Sequence, residues 1–520
     1  MSRDGILVAL LALVVAGTEW GLGQSLCGWN FCYPLDDAYI HMSIARQLAE
    51  SGTWGLEPGS YAFASSSPLW TVLLAVVFKL FGALEWIPLV LSFFFAVCSV
   101  LLAFEFWRRA GLSKSASLLC GITLIFAVPF ATLSNLGMEH ALHFFCVEAF
   151  ILAAWMILSV DGRPNGKILA MLLLSAALAV GARYESLFIV VPMTLLFAYR
   201  RRFAIAIALL LVAFIPMVAM GVYAVCHGGT FLPVSIILKA GLDNGNMFSR
   251  GLAALYASIS CDSIHFHLVA LALLIVAALP FMGRCVRELA FVFAVAAIGH
   301  GMFARLGWLY RYEAYIVGAA FTLFPLALAR TVKERCSPRR LDVVARLSVW
   351  LICIAVAFPF LSRSFRAQYD TVEAQREIFG QQMQTARIFS SLPESEKGPV
   401  AVVDLGCVAY YSGVSLLDMW GLGSPEVYDM VRKRTYNESV CGELFKKHGI
   451  RYFAVYPWCC ERFGSHMHQV ARLINTRPGV VCADSIIVLA VANEADIETF
   501  HRHLVSFAQN LPSGMRLVFQ

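Results

Sequence analysis

Asp36 and Asp37 stand side by side just after the first apolar segment of the chain. A carboxylate pair beside lipid is costly to place and is retained for pairing, ion handling or chemistry. Tyr39, Ile40, Ile44, Leu48 and Ala49 then recur at helical spacing, with Arg46, Gln47 and Glu50 between them. This pattern predicts a short amphipathic helix on the membrane surface with both acids at its N-terminal end. The helix dipole favours ionised carboxylates there, ready to accept a proton. Gly52, Gly55, Pro58 and Gly59 end the helix and turn the chain. Lys239, Arg305 and Arg311 are the complementary cations: an arginine fork suits a phosphate, and a lysine supplies a point charge.

The elements that must position these groups are mostly membrane helices. Of 520 residues, 59% are hydrophobic and 14% charged, and the mean hydropathy is +0.71. A soluble protein carries about 25% charged residues, so the composition argues a multi-spanning membrane protein. The net charge of +6 comes in short basic clusters between apolar runs, without the aromatic-interleaved basic stripe of a nucleic-acid binder. Nucleic acid is therefore excluded as a partner. Span-length runs lie at 5–23, 86–106, 115–133, 140–160, 167–182, 186–199, 203–225, 267–283, 288–304, 313–329 and 345–361, about 11 spans. The first run also fits a signal peptide in outline, although no convincing cleavage site precedes the loop.

A further short run, 68–82, contains Lys79, and whether it crosses sets the orientation of everything after it. If it lies on the surface or re-enters, the clusters Arg108/Arg109/Lys114, Arg200/Arg201/Arg202 and Arg330 to Arg346 all fall inside, as the positive-inside rule requires. The first external loop is then 24–85. Asp36, Asp37, His41, Glu139, Arg183, Glu185, Lys239, Arg305, Tyr310 and Arg311 converge on the external face, although the orientation was set from other residues. The expected division is a transmembrane domain over 1–361 and an extracytoplasmic domain over 362–520. The latter is charged and mixed, with a helix over 366–389 and β-prone runs at 400–403, 452–456 and 485–491, hence a small α/β domain.

These residues carry a family resemblance. The run Asp36-Asp37-Ala38-Tyr39-Ile40-His41, continuing to Gly52, and then Ser65-Ser66-Ser67-Pro68-Leu69-Trp70, resembles the first external loop of GT-C glycosyltransferases. Weaker matches follow in order: Gly137-Met138-Glu139, Arg183-Tyr184-Glu185, Gly229 to Pro233 with Lys239, Tyr310-Arg311-Tyr312, and Val403-Asp404-Leu405-Gly406 with Tyr410 to Gly413. The resemblance implies a polytopic enzyme that takes a sugar from a polyprenyl-phosphate carrier. It would pass the sugar, with inversion, to a hydroxyl of a cell-envelope glycan, lipid or protein outside the cytoplasm. Asp36 or Asp37 would be the general base, and Lys239, Arg305 and Arg311 would meet the phosphate. No cofactor is required; a divalent metal is possible.

Plainer readings stand beside these. Asp36 could be only a helix cap, Glu139 a capped span end, Arg183 and Glu185 an internal ion pair, and His41 a satisfied interfacial histidine. The cations could simply snorkel. Trp420 is either a core residue of the small domain or a surface on which a sugar stacks. Of 15 cysteines, Cys27 and Cys32 are spaced for a bridge in an oxidising compartment, but connectivity is not legible. Asn437-Glu438-Ser439 is a glycosylation sequon by pattern. The alternative function is a transporter or flippase of lipid-linked glycans, which predicts inverted repeats and mid-membrane charges. No repeat is evident.

Overall fold

A computed structural model describes residues 3–234, 249, 251–253, 256, 272, 283–335 and 341–520. The membrane half opens with α1 (Arg3–Leu26), the acid-bearing α2 (Asp36–Ser51), α3 (Pro68–Phe81) and α4 (Ile87–Arg109). It continues through α5 (Lys114–Ala127), α6 (Phe130–Asn135), α7 (His140–Leu158), α8 (Gly166–Ala182), α9 (Leu187–Tyr199) and α10 (Phe203–Cys226). Then come α11 (Arg284–Phe303), α12 (Ala314–Arg335) and α13 (Leu341–Gly380). Among the described residues α1, α4, α7, α10 and α11 are long and apolar enough to cross a membrane. The chain is a multi-pass membrane protein. Most of the expected span 267–283 lies outside the described residues.

The run 115–133, expected as one span, is broken: α5 stops at Ala127 and α6 begins at Phe130. Pro129 sits at the break, where its ring disfavours helical backbone in the residue before it. Helix α3 has 14 residues, about 21 Å of helix against a hydrocarbon core of about 30 Å. It starts on Pro68 after a Ser67 cap and lies against α2, where the Lys79 ammonium donates to the Ala49 carbonyl at 2.9 Å. Helix α2 is more deeply set than a surface helix: Ala38 to Ala45 are all buried.

Helix α13 runs for 40 residues and carries the chain from the last apolar run into the C-terminal domain without a break, so position 361 falls inside it. The helix expected over 366–389 is thus the end of α13 followed by α14 (Gln382–Ser390). Beyond it lies a six-stranded mixed sheet of β1 (Val400–Val402), β2 (Leu416–Asp418), β3 (Tyr452–Val455), β4 (His468–Asn475), β5 (Ile486–Val491) and β6 (Met515–Phe519). The order is β2-β1-β3-β5-β4-β6, with β1 parallel to both neighbours and the remaining pairs antiparallel. The first crossover carries α15 (Gly406–Tyr411) from β1 to β2; the second returns past β1 to β3. The chain therefore leaves β1 to one side and comes back on the other, which opens a crevice at the carboxyl end of β1.

Candidate active site

A cavity of about 950 Å³ lies between the membrane half and the carboxyl ends of β1, β2 and β3. Asp36, Asp37 and His41 of α2 line it on one side, with Arg305, Arg311 and Tyr312 ahead of α12. Asp404, just past β1, and Trp420, just past β2, line it on the other.

The two acids differ. Asp37 is 40% exposed by side chain, and its Oδ2 accepts from Arg311 Nη2 at 2.6 Å. Arg311 is buried: Nη2 also donates to the Tyr312 hydroxyl at 3.0 Å, and Nη1 contacts Met138 Sδ at 3.0 Å. Asp36 instead turns both oxygens to the C-terminal domain. Oδ2 accepts from the Gly406 N–H at 2.6 Å and Oδ1 from the Cys407 N–H at 2.8 Å. It does not cap its own helix, whose first turn follows Leu35 without a side-chain cap. Burial pushes the Asp36 carboxyl up to about 6; the two N–H bonds oppose this and the negative charge of Asp37 adds to it. Desolvation thus outweighs the helix dipole expected to keep this acid fully ionised.

Behind Asp37 lies a buried polar chain. His41 Nδ1 is within 3.1 Å of Thr71 Oγ1 and 3.2 Å of Ser65 Oγ, and its Nε2 faces Glu139 Oε2 at 3.8 Å. Arg183 bridges Glu139 Oε1 and Glu185 Oε1, each at 2.6 Å. The guanidinium carbons of Arg183 and Arg311 lie 5.2 and 4.9 Å from the Tyr312 ring centroid, so one aromatic ring serves two cations. Glu139, Arg183 and Glu185 are thus an internal ion network that backs the cavity, outside its lining.

Arg305 is exposed on the cavity wall. Tyr310 does not reach the cavity; its hydroxyl donates to Asp370 Oδ2 at 2.8 Å on α13. Lys239 lies outside the described residues. Asp404 belongs to the site, although sequence reasoning gave it no role. Its carboxylate accepts from Gln382 Nε2 and the Tyr456 hydroxyl, and burial, with the charge of Asp36 next, pushes it up to about 7. The only advance signal for it was its place in the run Val403 to Gly406.

Cys27 and Cys32 are free, buried thiols that both point at the Gln375 carbonyl, at 3.6 and 3.7 Å. Among the described residues, no group of three or more His, Cys, Asp or Glu side chains is placed to hold a metal ion. The Asp36 oxygens are taken by backbone N–H donors and Asp37 is paired with Arg311, which makes this a poor cation cradle.

Residues 375–498 match the model of a domain of unknown function, DUF8728. No characterised protein sequence matches the chain. Among solved structures, the chain is similar to ArnT from Cupriavidus metallidurans bound to undecaprenyl phosphate, with a TM-score of 0.56 at 13% identity over 95% of this chain and 99% of that one. It also matches the oligosaccharyltransferase of Archaeoglobus fulgidus in complex with zinc and sulfate, with a TM-score of 0.48 at 13% identity over 94% of this chain and 76% of that one.

Proposed function

We propose that this chain, which has the GT-C fold, is a membrane glycosyltransferase that moves a sugar from a polyprenyl-phosphate donor to an acceptor hydroxyl. The acceptor is a cell-envelope glycan, lipid or protein, and the reaction takes place on the extracytoplasmic face, as the inside basic clusters favour. One observation carries the reading: a half-exposed carboxylate, Asp37, is held by a buried arginine, Arg311, on the wall of a cavity large enough for a sugar phosphate.

In this mechanism Asp37 is the general base. It takes the proton of the acceptor hydroxyl as that oxygen forms its bond to the anomeric carbon. The bond from that carbon to the phosphate oxygen breaks on the opposite face, so the configuration inverts. The polyprenyl phosphate departs with the electron pair, and its growing charge meets Arg311 and the exposed Arg305. Asp36 supports the site by holding the external domain against α2, and His41 and the Glu139–Arg183–Glu185 network fix the wall behind Asp37.

The test is purified full-length protein in nanodiscs with radiolabelled polyprenyl-phosphate sugars and envelope extract. Label leaving the lipid, and its loss in Asp37→Asn, are the expected outcomes. In sealed proteoliposomes prepared in parallel, label that crosses the bilayer while still attached to its lipid would instead assign the chain to lipid-linked glycan transport.

A further inference from the structure

The cavity has a second wall whose chemistry the transfer step does not use. It is built where the three parallel strands end: Trp420 follows β2, while Trp458 and Arg462 follow β3. In open α/β sheets the crevice at a strand-order reversal, outside the carboxyl ends of the strands, is where ligands bind.

Trp420 is not a core residue. It is 47% exposed, and its ring centroid lies 5.4 Å from that of Trp458. The loop presenting it is tied down: the Asp418 carboxylate accepts from the Trp420 N–H at 2.8 Å and the Gly423 N–H at 2.7 Å. Ser424 Oγ lies 2.9 Å from the Asp418 N–H and accepts from it. Gly421 has φ +79°, and a Cβ there would collide with the backbone of Tyr428. A large apolar ring held rigidly in water is a cost with no return inside the domain, and such placement marks a contact surface.

Two cations line the same cavity as the rings. Arg462, which lines the cavity, donates to the Tyr436 carbonyl and lies over the Tyr436 and Phe463 rings at 5.1 and 5.2 Å. Arg434 lines the same wall from a left-handed backbone position, φ 56°. Neither is needed for the donor phosphate, which has Arg311 and Arg305.

We propose that Trp420 and Trp458 are the acceptor subsite of this enzyme, stacking one sugar ring of an anionic glycan whose phosphate or carboxylate groups lie against Arg434 and Arg462. The inference rests on the glycosyl-transfer reading and adds the acceptor's class and the domain that holds it. A ring stacked on Trp420 stands in the same cavity as Asp37, so a hydroxyl of the glycan can turn toward the base. Stacking on the indole faces tolerates many sugars, and the arginines select for charge.

The experiment measures binding, so it does not depend on turnover. Full-length protein in nanodiscs is titrated with tetragalacturonate, a phosphorylated mannose oligosaccharide and neutral maltotetraose, read by tryptophan fluorescence and calorimetry. Undecaprenyl phosphate is titrated in parallel. The expected result is saturable binding of one or both anionic probes, weakened by salt, with maltotetraose about tenfold weaker or undetectable. Trp420→Ala is expected to weaken the anionic probe about tenfold or more and Trp420→Phe to recover most of that, while undecaprenyl phosphate binds as before. The carboxylate and phosphate arms identify which group is read. Equal binding of neutral and anionic probes, no saturable saccharide binding, or anionic binding indifferent to both Trp420→Ala and the Arg434→Ala/Arg462→Ala pair overturns the proposal. Failure of undecaprenyl phosphate to bind counts against the transfer reading instead, and the two failures are read on separate titrations.

Discussion

The Asp36 carboxylate lies 2.6 Å from the backbone N–H of Gly406, 370 residues further along the chain. This contact joins the membrane half to the C-terminal domain at the first turn of α15. The other end of α15 is held from the same helix: Arg46 of α2 donates to the Tyr410 and Ala409 carbonyls at 2.9 and 3.3 Å. An acid thus meets the N-terminus of α15 and a base its C-terminus, the arrangement its dipole favours. The approach leaves no room for a side chain at Gly406, where a Cβ would collide with the Asp36 carbonyl oxygen.

The two aspartates should therefore fail differently. Asp37→Asn is expected to lower transfer roughly 100- to 10,000-fold with the two domains still docked, because it removes a base without removing a tether; the melting temperature should fall as well, since the buried Arg311 loses its counter-ion. Asp36→Ala should cost about 1–3 kcal/mol of stability, since two buried N–H donors lose their acceptor. It should also open α14 and the linker after it to proteolysis. Gly406→Ala should reproduce the Asp36→Ala proteolysis pattern. If Asp36→Asn abolishes turnover while the domains stay docked and Asp37→Asn does not, the base is assigned to the wrong acid.

Arg311 and Arg305 separate by burial. Arg311→Lys keeps the charge but cannot reach Asp37, Tyr312 and Met138 together. Losing one charge-assisted bond of about 1.5–3 kcal/mol should cut turnover roughly 10- to 100-fold. Arg305→Ala, at an exposed position, should weaken undecaprenyl phosphate binding in a salt-dependent way and leave the melting temperature unchanged. A titration in which Arg305→Ala matches wild type would remove Arg305 from the phosphate site.

How much of this was legible in the sequence follows the range of each interaction. The acid pair, its helix and the polytopic class are local patterns and could be read. That Asp36 is a tether could not, because its partners are backbone N–H groups of Gly406 and Cys407, which no side-chain pattern encodes. Tyr310 and Arg311 are adjacent, yet only Arg311 reaches the cavity. Gly307, Trp308, Leu309 and Tyr310 run through consecutive positive φ values of 78°, 48°, 52° and 60°. Left-handed backbone costs about 1–2 kcal/mol per non-glycine residue, so no propensity foretells it. Asp404 gained its place from the strand order, which depends on crossovers rather than on neighbouring residues. Trp420 looked like a core residue because tryptophans in small domains usually are.

The buried network behind Asp37 should be structural before it is catalytic. Arg183 holds two carboxylates, so Arg183→Met leaves Glu139 and Glu185 facing each other without a cation. About 3–5 kcal/mol of destabilisation is expected, read as a large fall in melting temperature in detergent. Adding Glu139→Gln should recover part of it by removing one of the stranded charges. A double variant that is less stable than Arg183→Met alone would show that the network is not held together by charge.

The C-terminal domain should be more stable in mild acid than at neutral pH. Burial raises Asp404 to about 7 and Asp36 and Asp418 to about 6, against an ordinary aspartate near 3.8. Between roughly pH 4 and 7 the folded chain therefore binds more protons than the unfolded one, and stability falls as pH rises through that window. Asp404→Asn imitates the protonated carboxyl and can still accept from Gln382 and Tyr456. Melting curves of the full chain should show a lower transition temperature at pH 7.5 than at pH 5.5, with the difference smaller in Asp404→Asn. The variant should gain its advantage at pH 7.5, where the wild-type carboxyl must ionise in place. A wild-type transition that rises with pH across this range would mean that Asp404 is solvated rather than buried against the sheet.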